Sequence, residues 1–343
     1  MNIELLCRPQ GMKRKIWTDF LTRAGLTADE AVTQTVLVWD DDTLIATGSR
    51  EEHILKCIAV DEAHRGEDLT ATVLSILRQE AFREGHRHLF LYTKPSNKYL
   101  FSSLFFYPIA QTEQVLLMEN QRNGIQSFLD ALSAERATPP DNNTDNAGIN
   151  KDSQIIGAIV MNCNPFTLGH QYLIETAAGE CDKLYVFVLS EDKSQFSTED
   201  RLEMVRLGTQ HLSNVTVLPT GPYLISAATF PTYFIKEREK AGQIQCLLDI
   251  EVFMRYFVPH FHITRRYVGT EPLSPMTAQY NDALRMYLPK REILLKEIPR
   301  LTKSGVPVSA SAVRAHIQSG NIQALKALLP PTTMKYLQEK DLL

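Results

Sequence analysis

Phosphate chemistry needs donors that converge on one point, and the stretch Ile159 to His170, IVMNCNPFTLGH, offers several in a short span. Gly169 removes a side chain where a strand turns into a helix, so backbone can approach a ligand and the free N–H groups of the new helix can face phosphate oxygens. His170 can donate to the same oxygens, and Thr167 can do so from three residues earlier. Asn162, Asn164 and Phe166 complete the ligand-facing set. Taken alone, a glycine–histidine pair after a strand is more often a purely structural feature.

A second group lies towards the other end of the chain. In Val308 to Arg314, VSASAVR, the hydroxyls of Ser309 and Ser311 sit at a helix start, and Arg314 follows one turn later, able to neutralise charge on a pyrophosphate. A plain serine cap with a solvated arginine has the same composition. Lys193 follows a strand, where its ammonium can reach a triphosphate or stay in solvent.

Strands and helices must alternate to bring these groups together. Ile155 to Met161 is a continuously apolar run suited to the middle of a parallel sheet, and a helix from Gly169 carries Leu173, Ile174 and Ala177 on one face. Leu184 to Leu189, Val215 to Leu218 and, less clearly, Phe261 to Val268 read as further strands, with a helix over Arg201 to Gly208. That alternation predicts a doubly wound α/β fold with ligands outside the carboxyl ends of its strands. Earlier in the chain, Thr35 to Trp39 and Thr43 to Thr47 flank the acidic turn Asp40-Asp41-Asp42 as a hairpin. Strands at Ile54 to Val60, His88 to Tyr92 and Val115 to Met118, with helices at Thr70 to Glu84 and Ile125 to Leu132, complete a separate α/β layer.

The two patterned regions are joined by a stretch with two consecutive prolines and four asparagines, so the expected division is a first domain over 1–134, a linker over 135–152 and a second domain over 153–343. A chain of 343 residues fits two domains. Its apolar runs are far shorter than the roughly 18 residues a spanning helix needs, which argues against a membrane protein. The amino terminus lacks the apolar core of a secretory signal, so the expected compartment is the cytoplasm. Five scattered cysteines without a C-x-x-C pair predict reduced, mostly buried thiols and no zinc knuckle. A formal charge of -4 removes any bulk electrostatic case for nucleic acid.

Thr167-Leu168-Gly169-His170 resembles the T/H-x-G-H signature of the nucleotidyltransferase superfamily, in which the two polar positions stabilise ATP phosphates during attack at the α-phosphorus. Val308 to Arg314 resembles the later I-S-S-T-x-x-R motif of the same superfamily, with alanine for one serine. Val268 to Pro272, VGTEP, resembles its nucleotide-contacting loop, which implies adenine or ribose contacts at Gly269 and Glu271. The long run IGAIVMNCNPFTLGHQYLIETAA, Ile156 to Ala178, is closest to the [citrate (pro-3S)-lyase] ligase family. That resemblance implies that acetate and ATP form acetyl-adenylate, after which the acetyl group passes to a prosthetic-group thiol on the acyl-carrier subunit of citrate lyase. Thr167, His170, Lys193 and Arg314 would act on the phosphates. Mg²⁺ would arrive with ATP and be held mainly by its phosphates, since the chain shows no D-x-D or His/Cys cage. Transfer of AMP to a phosphorylated metabolite, such as a pantetheine phosphate or a mononucleotide, is the alternative.

In the first half, Arg65-Gly66-Glu67-Asp68-Leu69-Thr70 after a strand resembles motif A of the GNAT acetyltransferases, whose loop cradles the pyrophosphate of coenzyme A. Arg65 matches, whereas Asp68 and Thr70 occupy the positions of small residues, and a carboxylate opposes a diphosphate. The resemblance therefore implies a GNAT-like domain retained to hold the carrier partner or its phosphoribosyl-dephospho-coenzyme-A arm. Phe105-Phe106-Tyr107 resembles a late aromatic segment of that fold and is expected in the core.

Overall fold

β-branched and aromatic runs separated by tight turns build the sheets of both halves. The computed structural model describes residues 1–134, 154–190, 194–224, 230–235, 240–271, 275–303 and 305–343. Contacts divide the chain into two units, Met1–Ser127 with Phe230–Glu251, and Phe128–Thr229 with Val252–Leu343.

From the amino terminus the elements are β1 (Asn2–Leu6), α1 (Gly11–Arg23), β2 (Gln34–Asp40), β3 (Thr43–Glu51), β4 (Ile54–Val60), α2 (Leu69–Arg83), β5 (Phe90–Thr93), α3 (Lys98–Ser103), β6 (Tyr107–Gln111), β7 (Leu116–Glu119) and α4 (Gly124–Ala134). The β2–β3 hairpin turns through Asp41 at φ +47°, a left-handed conformation that a short polar side chain tolerates. The seven strands form one sheet in the order β1-β2-β3-β4-β5-β7-β6. Within it β4 and β5 run parallel, pairing at Ile54–Phe90 and Leu55–Leu91. Leu69, Val73, Leu74, Leu77 and Ala81 of α2 recur on one helical face and pack on Val36, Val38, Ile45, Leu55 and Leu91. The result is the α/β layer expected of the first half. Phe106 enters the core, but Phe105 remains 66% exposed.

The chain continues through β8 (Ile156–Met161), α5 (Leu168–Ala178), β9 (Lys183–Val188), α6 (Thr198–Thr209), β10 (Val215–Pro219), α7 (Ala241–Val252), α8 (Val258–Phe261), β11 (Arg265–Gly269), α9 (Pro275–Tyr287) and β12 (Leu294–Ile298). A short hairpin of β13 (Thr302–Lys303) and β14 (Val306–Pro307) leads to α10 (Ala310–Gln318), α11 (Ile322–Leu328) and α12 (Pro331–Glu339). The second sheet has the order β10-β9-β8-β11-β12, with all neighbours parallel. Strand order reverses at β8, so a crevice opens at the carboxyl ends of β8 and β11. The strand expected over Phe261 to Val268 starts only at Arg265, because Phe261 closes α8 and His262 turns the chain at φ +53°.

The observed division also differs from a single cut after residue 134. The boundary falls inside α4, and Phe230–Glu251 joins the first unit from within the second half. Its aromatic residues find partners there: Tyr233 donates its hydroxyl to the carbonyl of Tyr92 at 2.5 Å, and Phe230 meets the Tyr92 ring edge-on. The expected linker, 135–152, lies outside the described residues. Cys57, Cys163, Cys181 and Cys246 are buried, Cys7 is exposed, and none forms a disulfide. Among the described residues no helix is long and apolar enough to cross a membrane.

One close approach supports the second unit. On α6, a Cβ at Gly208 would lie 2.3 Å from the ring of Phe166, itself fully buried. Gly208→Ala should therefore destabilise the fold by about 1–3 kcal/mol, as overpacked cores do. Denaturant melts check this, and Phe166→Leu in the Gly208→Ala background should recover part of the loss.

Candidate functional site

The turn from β8 into α5 is shaped by its own side chains. Thr167 caps α5: its hydroxyl accepts from the backbone N–H of His170, while the Thr167 N–H donates to Nδ1 of His170 at 3.1 Å. A backbone N–H can only donate, so Nδ1 is the acceptor and the neutral ring keeps its proton on Nε2. The ring stacks on Phe166, with centroids 6.0 Å apart. Burial, aided by the charge of Arg300, lowers the pKa of His170 from 6.5 to about 4. At neutral pH the residue is therefore an uncharged Nε2–H donor, suited to a phosphate oxygen.

Asn162 and Asn164 serve the same turn from beneath. Arg201, fully buried, donates through Nη1 to the carbonyl and Oδ1 of Asn162 at 2.9 and 2.8 Å, and to the carbonyl of Leu189 at 2.6 Å. Its Nε reaches the carbonyl of Phe196 and its Nη2 the hydroxyl of Thr198. Asn164 Oδ1 accepts from the N–H of Phe196. Both asparagines thus set the loop between β9 and α6. Thr167 and Phe166, expected on the ligand, face inwards as the cap and the support of His170.

The two predicted phosphate groups meet in space. A Cβ on Gly169 would lie 3.2 Å from the carbonyl of Val308, so the close backbone approach permitted by this glycine is made by the chain that leads into α10. Arg314 donates to the carbonyl of Asn164 at 2.5 Å and to the hydroxyl of Ser311 at 3.2 Å. Ser309 caps α10 by accepting from the N–H of Ala312. Lys193 lies outside the described residues.

At the end of β11, among the described residues and apart from its chain neighbours, no atom lies within 4 Å of where a Cβ on Gly269 would stand. Glu271 pairs with Arg300 at 2.6 Å, and Thr270 Oγ1 accepts from the Arg300 N–H. Arg300 was missed in the sequence. It follows β12, whose mixed LLKEI pattern gave no clear strand signal, so its position at a carboxyl end was hidden. Around the crevice the donors are hydroxyls, amides, an imidazole N–H and guanidinium groups, a set that suits anions, with the carboxylate of Glu271 offset by Arg300. Among the described residues no three His, Cys, Asp or Glu side chains come together as metal ligands.

The first unit holds its own recess. Beyond Leu55 and Leu91, β4 and β5 no longer pair, and a groove of about 880 Å³ opens, lined by Ile58, Val60, Thr93, Leu104 and Tyr233 among others. The loop that enters α2 borders it, with Arg65 paired to Glu62 and Asp68 left-handed at φ +55°.

The depressed pKa of His170 makes stability pH-dependent. An unfolded histidine binds a proton near pH 6.5 and the folded one only near 4, so the stabilising contribution is present above about 6.5 and is lost as pH falls towards about 4. His170→Asn, which keeps an acceptor for Thr167, should flatten this part of the acid-side fall in melting temperature. Thermal melts of both proteins between those pH values check it.

Comparison with known proteins gives the family. The family model described as the citrate lyase ligase C-terminal domain matches residues 156–337. A [citrate [pro-3S]-lyase] ligase of Klebsiella pneumoniae is 38% identical over 95% of this chain and 93% of its own length. That of Escherichia coli (strain K12) is 37% identical over 96% of this chain and 92% of its own. A phosphopantetheine adenylyltransferase of Symbiobacterium thermophilum is 40% identical, but over only 19% of this chain and 41% of its own. With sequence likeness running through both units and not only through the phosphate motifs, the chain belongs to the citrate lyase ligase family.

Proposed function

We propose that the second unit activates acetate with ATP and that the chain then acetylates the thiol of the phosphoribosyl-dephospho-coenzyme-A group on the acyl-carrier subunit of citrate lyase, in the cytoplasm. The observation that carries this reading is the convergence of the α5 start, with the Nε2–H of His170, on the Ser309–Arg314 segment. An acetate oxygen attacks the α-phosphorus of ATP as the bond to the bridging oxygen of pyrophosphate breaks. The thiol, losing its proton, then attacks the acetyl carbon, and AMP leaves. Acetate is a poor electrophile because its carboxylate is resonance-stabilised, and adenylation turns one of its oxygens into part of a leaving group.

In this proposal the protein supplies position and charge. His170 donates to a phosphate oxygen, its proton held on Nε2 by Thr167. Arg314, tied to Asn164 and Ser311, faces the departing pyrophosphate with Ser309 at the head of α10. Gly269 and Glu271 border the nucleoside, and Lys193 is proposed to reach the triphosphate. Mg²⁺ is carried by the phosphates, whose charge it offsets, since the surrounding donor set suits anions. The first unit is proposed to hold the carrier or its arm, with the groove beside β4 as the receiving recess.

Acetate-dependent exchange of labelled pyrophosphate into ATP isolates the first step. His170→Ala should slow exchange about 100-fold or more while leaving a cooperative melt. Arg314→Lys should be impaired, because an ammonium cannot hold Asn164 and Ser311 as a planar fork does, and Arg314→Ala should be worse. Parental exchange in these variants would remove those roles. AMP found on a phosphorylated metabolite, without acetate-dependent exchange, would select the adenylyltransferase reading suggested by the shorter match.

A further inference from the structure

A second recess in the first unit, of about 730 Å³, lies between the outer face of α2 and the turn after α3. Leu74, Arg78, Phe82, Arg83, Leu104 and Phe105 line it. Phe105 is conspicuous in two ways. Its backbone is left-handed at φ +64°, a strained conformation for a bulky residue, and its ring is 66% exposed. The core takes its neighbour Phe106 instead. Phe82, which lines the recess from α2, is exposed as well. Single exposed apolar residues are ordinary, but apolar groups gathered around one recess mark an interaction surface.

The charges on this face select the partner. Arg78 has no ion-pair partner among the described residues, and Arg83 pairs with Glu80. With Arg83 offset by Glu80, Arg78 is the cation on this edge left to attract an acidic group of a partner, on a chain whose net charge is -4. The recess also adjoins the larger groove, since Ala71 and Leu104 line both. A body seated on the outer face of α2 would therefore stand beside the entrance to a groove suited to an extended arm.

We infer that this face docks the body of the acyl-carrier protein while its thiol arm enters the neighbouring groove, a face that calls for acidic groups around an apolar centre on the partner. The inference rests on the ligase reading above and assigns to that reaction the surface that recognises its macromolecular substrate. Phe105 is the apolar anchor and Arg78 the charge that orients the partner.

Phe105→Asp and Arg78→Glu in the full chain test it. Three rates are compared: acetate-dependent pyrophosphate exchange, acetylation of free pantetheine, and acetylation of the carrier subunit. The expected result is parental exchange and parental pantetheine acetylation, with the KM for the carrier raised about tenfold and kcat kept at saturation. Calorimetric titration of the carrier into the full chain should show the same weakening. An unchanged KM and unchanged affinity for the carrier would overturn the docking surface. So would conversion of a parental dimer to monomers with carrier affinity intact, because the face would then serve self-association. Absence of acetate-dependent exchange in the parental protein would sink the ligase reading instead, while the titration would still decide whether the carrier binds here.

Discussion

The guanidinium of Arg201 is the fixed point of the second unit. A buried cation costs several kcal/mol unless its protons are met, and here they meet the carbonyls of Asn162, Leu189 and Phe196, the side chain of Asn162 and the hydroxyl of Thr198. Those acceptors belong to the end of β8, the end of β9 and the entry to α6. A lysine has neither the span nor the planar fork to hold all three. The carbonyl and side chain of Asn162 are thereby set from below, and the β8–α5 turn inherits that order.

In the proposed reaction the work on phosphate is divided between a neutral donor and separate cations. His170 keeps its proton on Nε2 without carrying charge, because its surroundings favour the neutral ring. Positive charge comes from Arg314 and Arg300, each already engaged with oxygen acceptors of the chain. Such tethering limits the side-chain entropy lost when an anion arrives. The contact of Gly169 with Val308 makes one surface of two motifs that lie far apart in sequence.

How much of this was legible depends on the range of the signal. The buried strands of the parallel sheet and the amphipathic face of α2 announce themselves through local periodicity, and a glycine at a strand-to-helix turn is a local requirement. The inward turn of Thr167 was not legible, because a threonine before a helix serves equally as cap or ligand. Arg201 had the composition of a surface residue, and only the carbonyls gathered from three elements show why it is buried. Arg300 was hidden by an edge strand with a weak pattern, and its partner Glu271 arrives from β11. Phe230, Tyr233 and Phe234 gave a clear demand for burial but no indication of which unit would meet it.

That last feature bears on how the chain acquires its structure during synthesis. Domains generally fold as they emerge, the amino-terminal one first. Here the first unit lacks Phe230–Glu251 until after β8, β9 and β10 have left the ribosome. Tyr92 must wait for Tyr233, so the groove beside β4 gains its Tyr233 wall only once much of the second sheet is available to form. The two units therefore mature together, and selection acts on them as a single inheritance: neither can be exchanged between proteins by a single crossover in the stretch between the two halves.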